Sequence, residues 1–148
     1  MQILNPPSVL DPTIWGPHYW VFLHTMSFGY PDHPSSVIKK KYYDFIHNIP
    51  YFLPNEKIAK DFTDLLSLYP LSPYLDSRVH FIEWMHFIHN KINEKSGKPP
   101  MTLYDMYLTY YDLYKPKLQT IYETTQWKKK IMYSVIIFLL FIFIYMNL

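Results

Sequence analysis

The residues best placed to do chemistry lie in one run, Trp84-Met85-His86-Phe87-Ile88-His89-Asn90-Lys91-Ile92-Asn93-Glu94-Lys95-Ser96-Gly97-Lys98-Pro99. Read as a helix, His86, His89, Asn90 and Asn93 fall at i, i+3, i+4 and i+7 and share one face. Two imidazoles and two carboxamides on one stripe suit either a polar ligand or a buried hydrogen-bond network, and both readings stand. Trp20 and His24 form a second pair, one helical turn apart. A metal site built from His80, His86 and His89 lacks a carboxylate or cysteine at ligand spacing, so no metal is expected. The chain has no cysteine. Disulfides, thiolate nucleophiles and cysteine-based zinc sites are therefore excluded.

Helical elements must position these groups. Gly16-Pro17 predicts the start of a first helix, which carries Trp20 and His24 and ends before Pro31. Ser35 or Ser36 caps a second helix to about Asn48, with Val37, Tyr42, Phe45 and Ile46 on its buried side. Asn55, after Pro54, caps a third helix whose Ile58, Phe62, Leu65 and Leu66 face inward. Asp76 or Ser77 caps the fourth, whose apolar face is Trp84, Phe87, Ile88 and Ile92 and which Gly97 and Pro99 close. Thr102 caps a short, tyrosine-rich fifth helix through Tyr114. Short connections marked by proline predict an all-α antiparallel bundle. No alternating strand pattern and no internal repeat interrupts it.

Composition narrows the functions. A net charge of +2 and a single arginine, Arg78, give little for nucleic acid to bind, and none is expected as a partner. Three glycines leave no phosphate-cradling loop. The tyrosines from Tyr104 to Tyr114 are too dense for one small core and suit an interface. Lys39-Lys40-Lys41 reads as a solvated helix face. Ile131–Leu148 is almost uninterruptedly apolar. As a helix it is roughly 27 Å long, about the thickness of a bilayer's hydrocarbon core. Trp127 and Lys128-Lys129-Lys130 precede it as an interfacial aromatic and a basic cluster. We expect residues 131–148 to be a single-pass membrane anchor, with the domain on the cytosolic side.

These residues resemble the ERV/ALR flavin-linked sulfhydryl oxidases, small helical FAD proteins that make disulfides. The resemblance spans roughly residues 15–103. It rests on Trp20-x-x-Leu23-His24-Thr25, Tyr30-Pro31, Phe45-Ile46-His47 and, above all, Trp84-x-x-x-x-His89-Asn90-x-x-Asn93-x-x-x-Gly97-Lys98-Pro99. It implies a four-helix bundle plus a short fifth helix, and the apolar run adds a C-terminal transmembrane helix after it. The expected division is an N-terminal extension (1–15), the helical domain (16–115), a stalk (116–130) and the anchor (131–148).

The resemblance also implies where the chemistry is missing. The family's redox Cys-x-x-Cys aligns with Asn55-Glu56-Lys57-Ile58, so Asn55 and Ile58 stand where its two sulfurs would be. The family's structural disulfide aligns with His86 and Leu103. No catalytic residue is therefore expected. The positions carried over to a flavin site are Trp20, His24, Tyr51, Trp84, His86, His89, Asn90, Asn93 and Lys98, and FAD is the cofactor they imply. Family dimers pack through the first two helices, which implies a homodimer. Composition and anchor together resemble members from large double-stranded DNA viruses. The expectation is a redox-inactive, membrane-anchored structural or interaction protein in a virion membrane or capsid layer; the alternative is an FAD flavoprotein that works with a cysteine-bearing partner.

Overall fold

A computed structural model describes residues 10–146, and every described element is helical: α1 (Pro12–Phe28), α2 (Ser36–Asn48), α3 (Glu56–Leu68), α4 (Arg78–Lys95), α5 (Leu103–Tyr114) and α6 (Lys117–Met146). Short 3-10 turns at Ile49–Phe52 and Ser72–Tyr74 bend the chain between helices. The described residues up to Leu103 form one compact unit and those from Tyr104 a second. Residues 1–9 of the expected N-terminal extension, and Asn147 and Leu148 of the expected anchor, lie outside the described residues.

The first helix begins earlier than Gly16-Pro17 suggests. Asp11 caps it, accepting from the Thr13 backbone and hydroxyl at 2.8 Å each, and Pro12 occupies the first turn. An acidic cap followed by proline is a stronger start than an internal Gly-Pro pair, and Pro17 is carried inside the helix. The Trp15 indole donates to the Leu10 carbonyl at 3.1 Å and ties down the same end. At the far end Tyr30 is fully buried and its hydroxyl donates to the Leu75 carbonyl at 2.8 Å. Arg78, the chain's one arginine, donates to the Tyr30 carbonyl and pairs with Asp32 at 3.2 Å. Its guanidinium serves the fold.

On α2 the buried stripe keeps Tyr42 and Ile46 of the expected one and exchanges Val37 and Phe45 for Ile38 and Ile49. Ser35 provides the cap, and Ile38, Tyr42, Ile46 and then Ile49 face the core. Val37 is 61% exposed and Phe45 40% exposed, where the sequence placed both inside. Phe45 meets Phe22 of α1 edge-on at 5.9 Å, so these residues build an external face. Tyr42 and Ile46 fit either neighbouring position on the helix, and packing brings Ile38 and Ile49 in beside them.

The third and fourth helices follow their caps closely. The Asn55 carboxamide oxygen accepts from Ile58 N at 3.0 Å, and Phe62, Leu65 and Leu66 are buried. Ser77 caps α4, which buries Phe81, Ile82, Trp84, Met85, Ile88 and Ile92; Phe87 stays 37% exposed instead of joining that face. α4 packs most extensively on α1, then on α3. Lys95 and Asp61 pair across the α3–α4 seam at 3.0 Å.

Gly97 ends α4 with φ +69°, and Lys98 N donates back to the Asn93 carbonyl at 2.8 Å. In the second unit, α5 buries Met106 and Tyr110 and leaves Tyr104, Tyr111 and Tyr114 exposed. α6 runs unbroken from Lys117, so the expected stalk and anchor are one helix. Within Ile121–Met146 an 18-residue window reaches a mean hydropathy of 2.0 with none of it buried, so the helix is long and apolar enough to cross a membrane.

The left-handed position at Gly97 generates a prediction. No atom crowds a Cβ placed there, so Gly97→Ala tests the backbone alone. The substitution should destabilise the domain by about 1 kcal/mol, read as a lower midpoint in thermal or urea unfolding.

Candidate functional site

The polar stripe of α4 meets α1 at one point. His24 Nε2 and His89 Nδ1 lie 3.0 Å apart, and the Trp20 indole stacks on the His89 ring with centroids 3.9 Å apart and planes 11° from parallel. Trp20 and His24 sit one turn apart on α1, which aims both rings at α4. His24 is fully buried beside Ser27, whose hydroxyl donates to the His24 carbonyl at 2.8 Å. One of the two facing nitrogens donates and the other accepts, so the geometry requires at least one neutral ring.

Electrostatics favour two neutral rings. Burial pushes the His24 imidazole down to about 3, with His89 and His86 adding repulsion. Burial likewise lowers His89 to about 4, helped by His86 and by the Lys98 ammonium. At neutral pH the pair offers aromatic faces and hydrogen-bonding nitrogens without charge. These imidazoles stack and orient; they do not exchange protons with solvent near pH 7.

The rest of the stripe is used differently. The Asn90 carboxamide grips the Met101 backbone on both sides, donating to its carbonyl at 2.8 Å and accepting its N–H at 2.9 Å. His86 Nε2 also donates to the Met101 carbonyl at 2.8 Å, which places the proton on that nitrogen. Pro99 and Pro100 have no N–H, so Met101 offers the first free amide after Lys98. That signal was legible in the sequence, although Met101 did not stand out there. Asn93 lies half-buried farther along the stripe, and among the described residues nothing partners its carboxamide.

Two of the nine carried-over positions lie elsewhere. Trp84 is buried on another face of α4, where its indole donates to the Tyr69 carbonyl at 3.2 Å. Tyr51 stands 84% exposed on the turn before α3, in a groove beside α2 and α3. Trp20, His24 and His89 therefore meet directly. Lys98 acts electrostatically on His89; His86 and Asn90 belong to the Met101 clasp, and Trp84 and Tyr51 stand apart. Among the described residues no group of three metal-binding side chains occurs.

The depressed imidazoles couple stability to pH. In the unfolded chain both histidines return to an ordinary pKa of 6.5 and take up protons below it, while the folded pair stays neutral to about pH 4. Stability from this pair is complete above about pH 6.5 and is lost as pH falls toward 4. Urea unfolding at about pH 5 should show a loss of up to about 2 kcal/mol per imidazole relative to neutral pH. His89→Gln should flatten that dependence. Equal stability at both pH values would contradict the assignment.

Comparison with known proteins bears on this arrangement. A family model described as the Erv1 / Alr family matches residues 17–129. A protein of Acanthamoeba polyphaga mimivirus, named a probable FAD-linked sulfhydryl oxidase, is 32% identical over 126 residues, covering 84% of this chain and 80% of that protein. The mitochondrial FAD-linked sulfhydryl oxidase erv1 of Schizosaccharomyces pombe is 33% identical over 93 residues, 63% of this chain and 51% of its own length. Among solved structures, the yeast Erv1 core superposes with a TM-score of 0.58 at 29% identity, covering 68% of this chain and 81% of that one. The FAD binding domain of Erv1 from Saccharomyces cerevisiae gives 0.59 at 29% identity, with coverage of 64% and 88%. The matched span takes in both halves of the Trp20–His24–His89 cluster and the Asn55 cap, and on these grounds the chain belongs to the Erv1/Alr family.

Proposed function

We propose that this chain is a membrane-anchored, redox-inactive homologue of the FAD-linked sulfhydryl oxidases, acting as a structural and interaction protein of a virion membrane. One observation carries the reading: the sequence contains no sulfur that can be oxidised to a disulfide. Oxidation of a dithiol proceeds by thiolate attack and a mixed disulfide. At the start of α3, where family resemblance puts the redox pair, the Asn55 side chain is spent on capping and Ile58 is an alkyl group. Neither takes an electron pair from a thiol.

The anchoring part of the proposal draws on Ile121–Met146, with Lys128-Lys129-Lys130 favouring the cytosolic side for the domain. The viral relative supports a virion setting. Exposed Val21, Phe22, Val37 and Phe45 on α1 and α2 supply an apolar face suited to a second copy of the chain.

A second reading is favoured by the α1–α4 cluster, whose donor set fits a flavin nucleotide. Trp20 and His89 touch, so no ring lies between them, but their aromatic faces suit stacking on a flat heterocycle. The unpartnered Asn93 carboxamide suits a ring hydrogen bond, and Lys98 a phosphate. The neutral His24 and His89 hold Trp20 in place without adding charge. A bound flavin would supply a two-electron acceptor. On this reading the chain is a flavoprotein that depends on the thiols of a cysteine-bearing partner.

The purified chain should produce no peroxide from a dithiol substrate; turnover with contaminants excluded would overturn redox inactivity. A visible flavin spectrum, or a rise in unfolding temperature with added FAD, would select the second reading, since a ligand of the native state must stabilise it. A chain cut at Lys117 should leave the membrane fraction. Its retention there would show that another surface does the tethering.

A further inference from the structure

A groove on the far side of α3 is not used by any of this. It opens between the end of α2, the Ile49–Phe52 turn and the outer face of α3, with a volume of about 560 Å³. That lies within the range of small-molecule sites, about 300–1,000 Å³. We propose that this groove binds a planar aromatic molecule carrying one anionic group.

The walls are aromatic. Tyr43 and His47, one turn apart on α2, stack with centroids 3.8 Å apart and planes 24° from parallel. His47 Nδ1 donates to the Tyr43 carbonyl at 2.9 Å, which sets the ring's orientation. Tyr51 faces the same space and is 84% exposed, a large aromatic surface offered to solvent. Flat aromatic faces fixed in this way favour a flat ligand.

The floor is smooth and offers no donors. Ala59, Thr63 and Ser67 recur at four-residue intervals along α3. The Thr63 hydroxyl donates to the Ala59 carbonyl at 2.9 Å and the Ser67 hydroxyl to the Thr63 carbonyl at 3.2 Å, so both are turned back into their own helix. A ring lying here meets methyl and methylene groups. The one cation is Lys60. Lys57, a turn away, pairs with Asp61, whereas among the described residues Lys60 has no carboxylate partner. An aromatic wall, an apolar floor and a cation lacking a counter-charge together specify an aromatic anion.

The groove does not compete with other surfaces of the unit. Tyr43 and His47 point to the side of α2 away from Phe45, which meets Phe22 of α1. It also shares no lining residue with the Trp20–His24–His89 cluster.

The test is saturation-transfer NMR on the full chain in lipid nanodiscs, with empty nanodiscs subtracted. 2-Naphthoate serves as the probe and 2-naphthamide as its uncharged counterpart. The acid should bind about tenfold more tightly than the amide. Lys60→Gln should abolish that difference, and Tyr51→Ala should weaken both ligands by about tenfold. Both side chains are exposed, so neither substitution threatens the fold. Equal affinity for acid and amide, no binding of either, or insensitivity to either substitution would overturn the proposal.

Discussion

A hydrogen bond between two uncharged imidazoles fastens α1 to α4, and the rest of the first unit is arranged to keep it dry. His24 is fully buried, and Trp20 lies flat on His89. Around this contact α4 buries Phe81, Met85, Ile88 and Ile92, so that its apolar and polar faces are both occupied. Charging either ring would place an ion in a largely buried seam, and at His89 the Lys98 ammonium adds repulsion. The bond thus holds two helices together and keeps the cluster neutral.

The two places where family resemblance puts sulfur pairs are filled by hydrogen bonds. At the start of α3, Asn55 caps the helix. At the end of α4, His86 and Asn90 hold the Met101 backbone through three hydrogen bonds. Individual hydrogen bonds of this kind contribute about 1 kcal/mol net, so three together approach the about 2–4 kcal/mol typical of a disulfide. The substitution keeps the segment after Gly97-Lys98-Pro99 tied to α4 and makes that tie indifferent to redox potential. It also commits Asn90, which shortens the set of groups left for a ligand.

In the second unit, the helix that carries the apolar run starts at Lys117, well before that run. Backbone hydrogen bonds continue through Trp127 and the three lysines without a break. A continuous helix satisfies every interior backbone group, the condition for entering hydrocarbon. The aromatic and basic residues sit on its surface at the level where the apolar stretch begins, suited to a membrane interface.

Local residue types dictate the helices, most of their caps and the lack of any disulfide within the chain. Asn55 and Gly97 are local signals that act where expected, and of the paired cap candidates the structure uses Ser35 and Ser77. Composition alone excludes a thiol or disulfide within the chain. Only packing settles what periodicity leaves open: whether Val37 and Phe45 or Ile38 and Ile49 join Tyr42 and Ile46 at the core, and how the residues of one polar stripe on α4 divide their work. Asn90 and His89 are adjacent in sequence and look alike as ligand candidates. One grips Met101 and the other meets His24, because neighbouring positions on a helix point about 100° apart and find different partners. Trp84 separated from the cluster for the same reason, and Tyr51 because it lies on the turn before α3. A residue's type declares which bonds it can make, and only the packed chain supplies the partner.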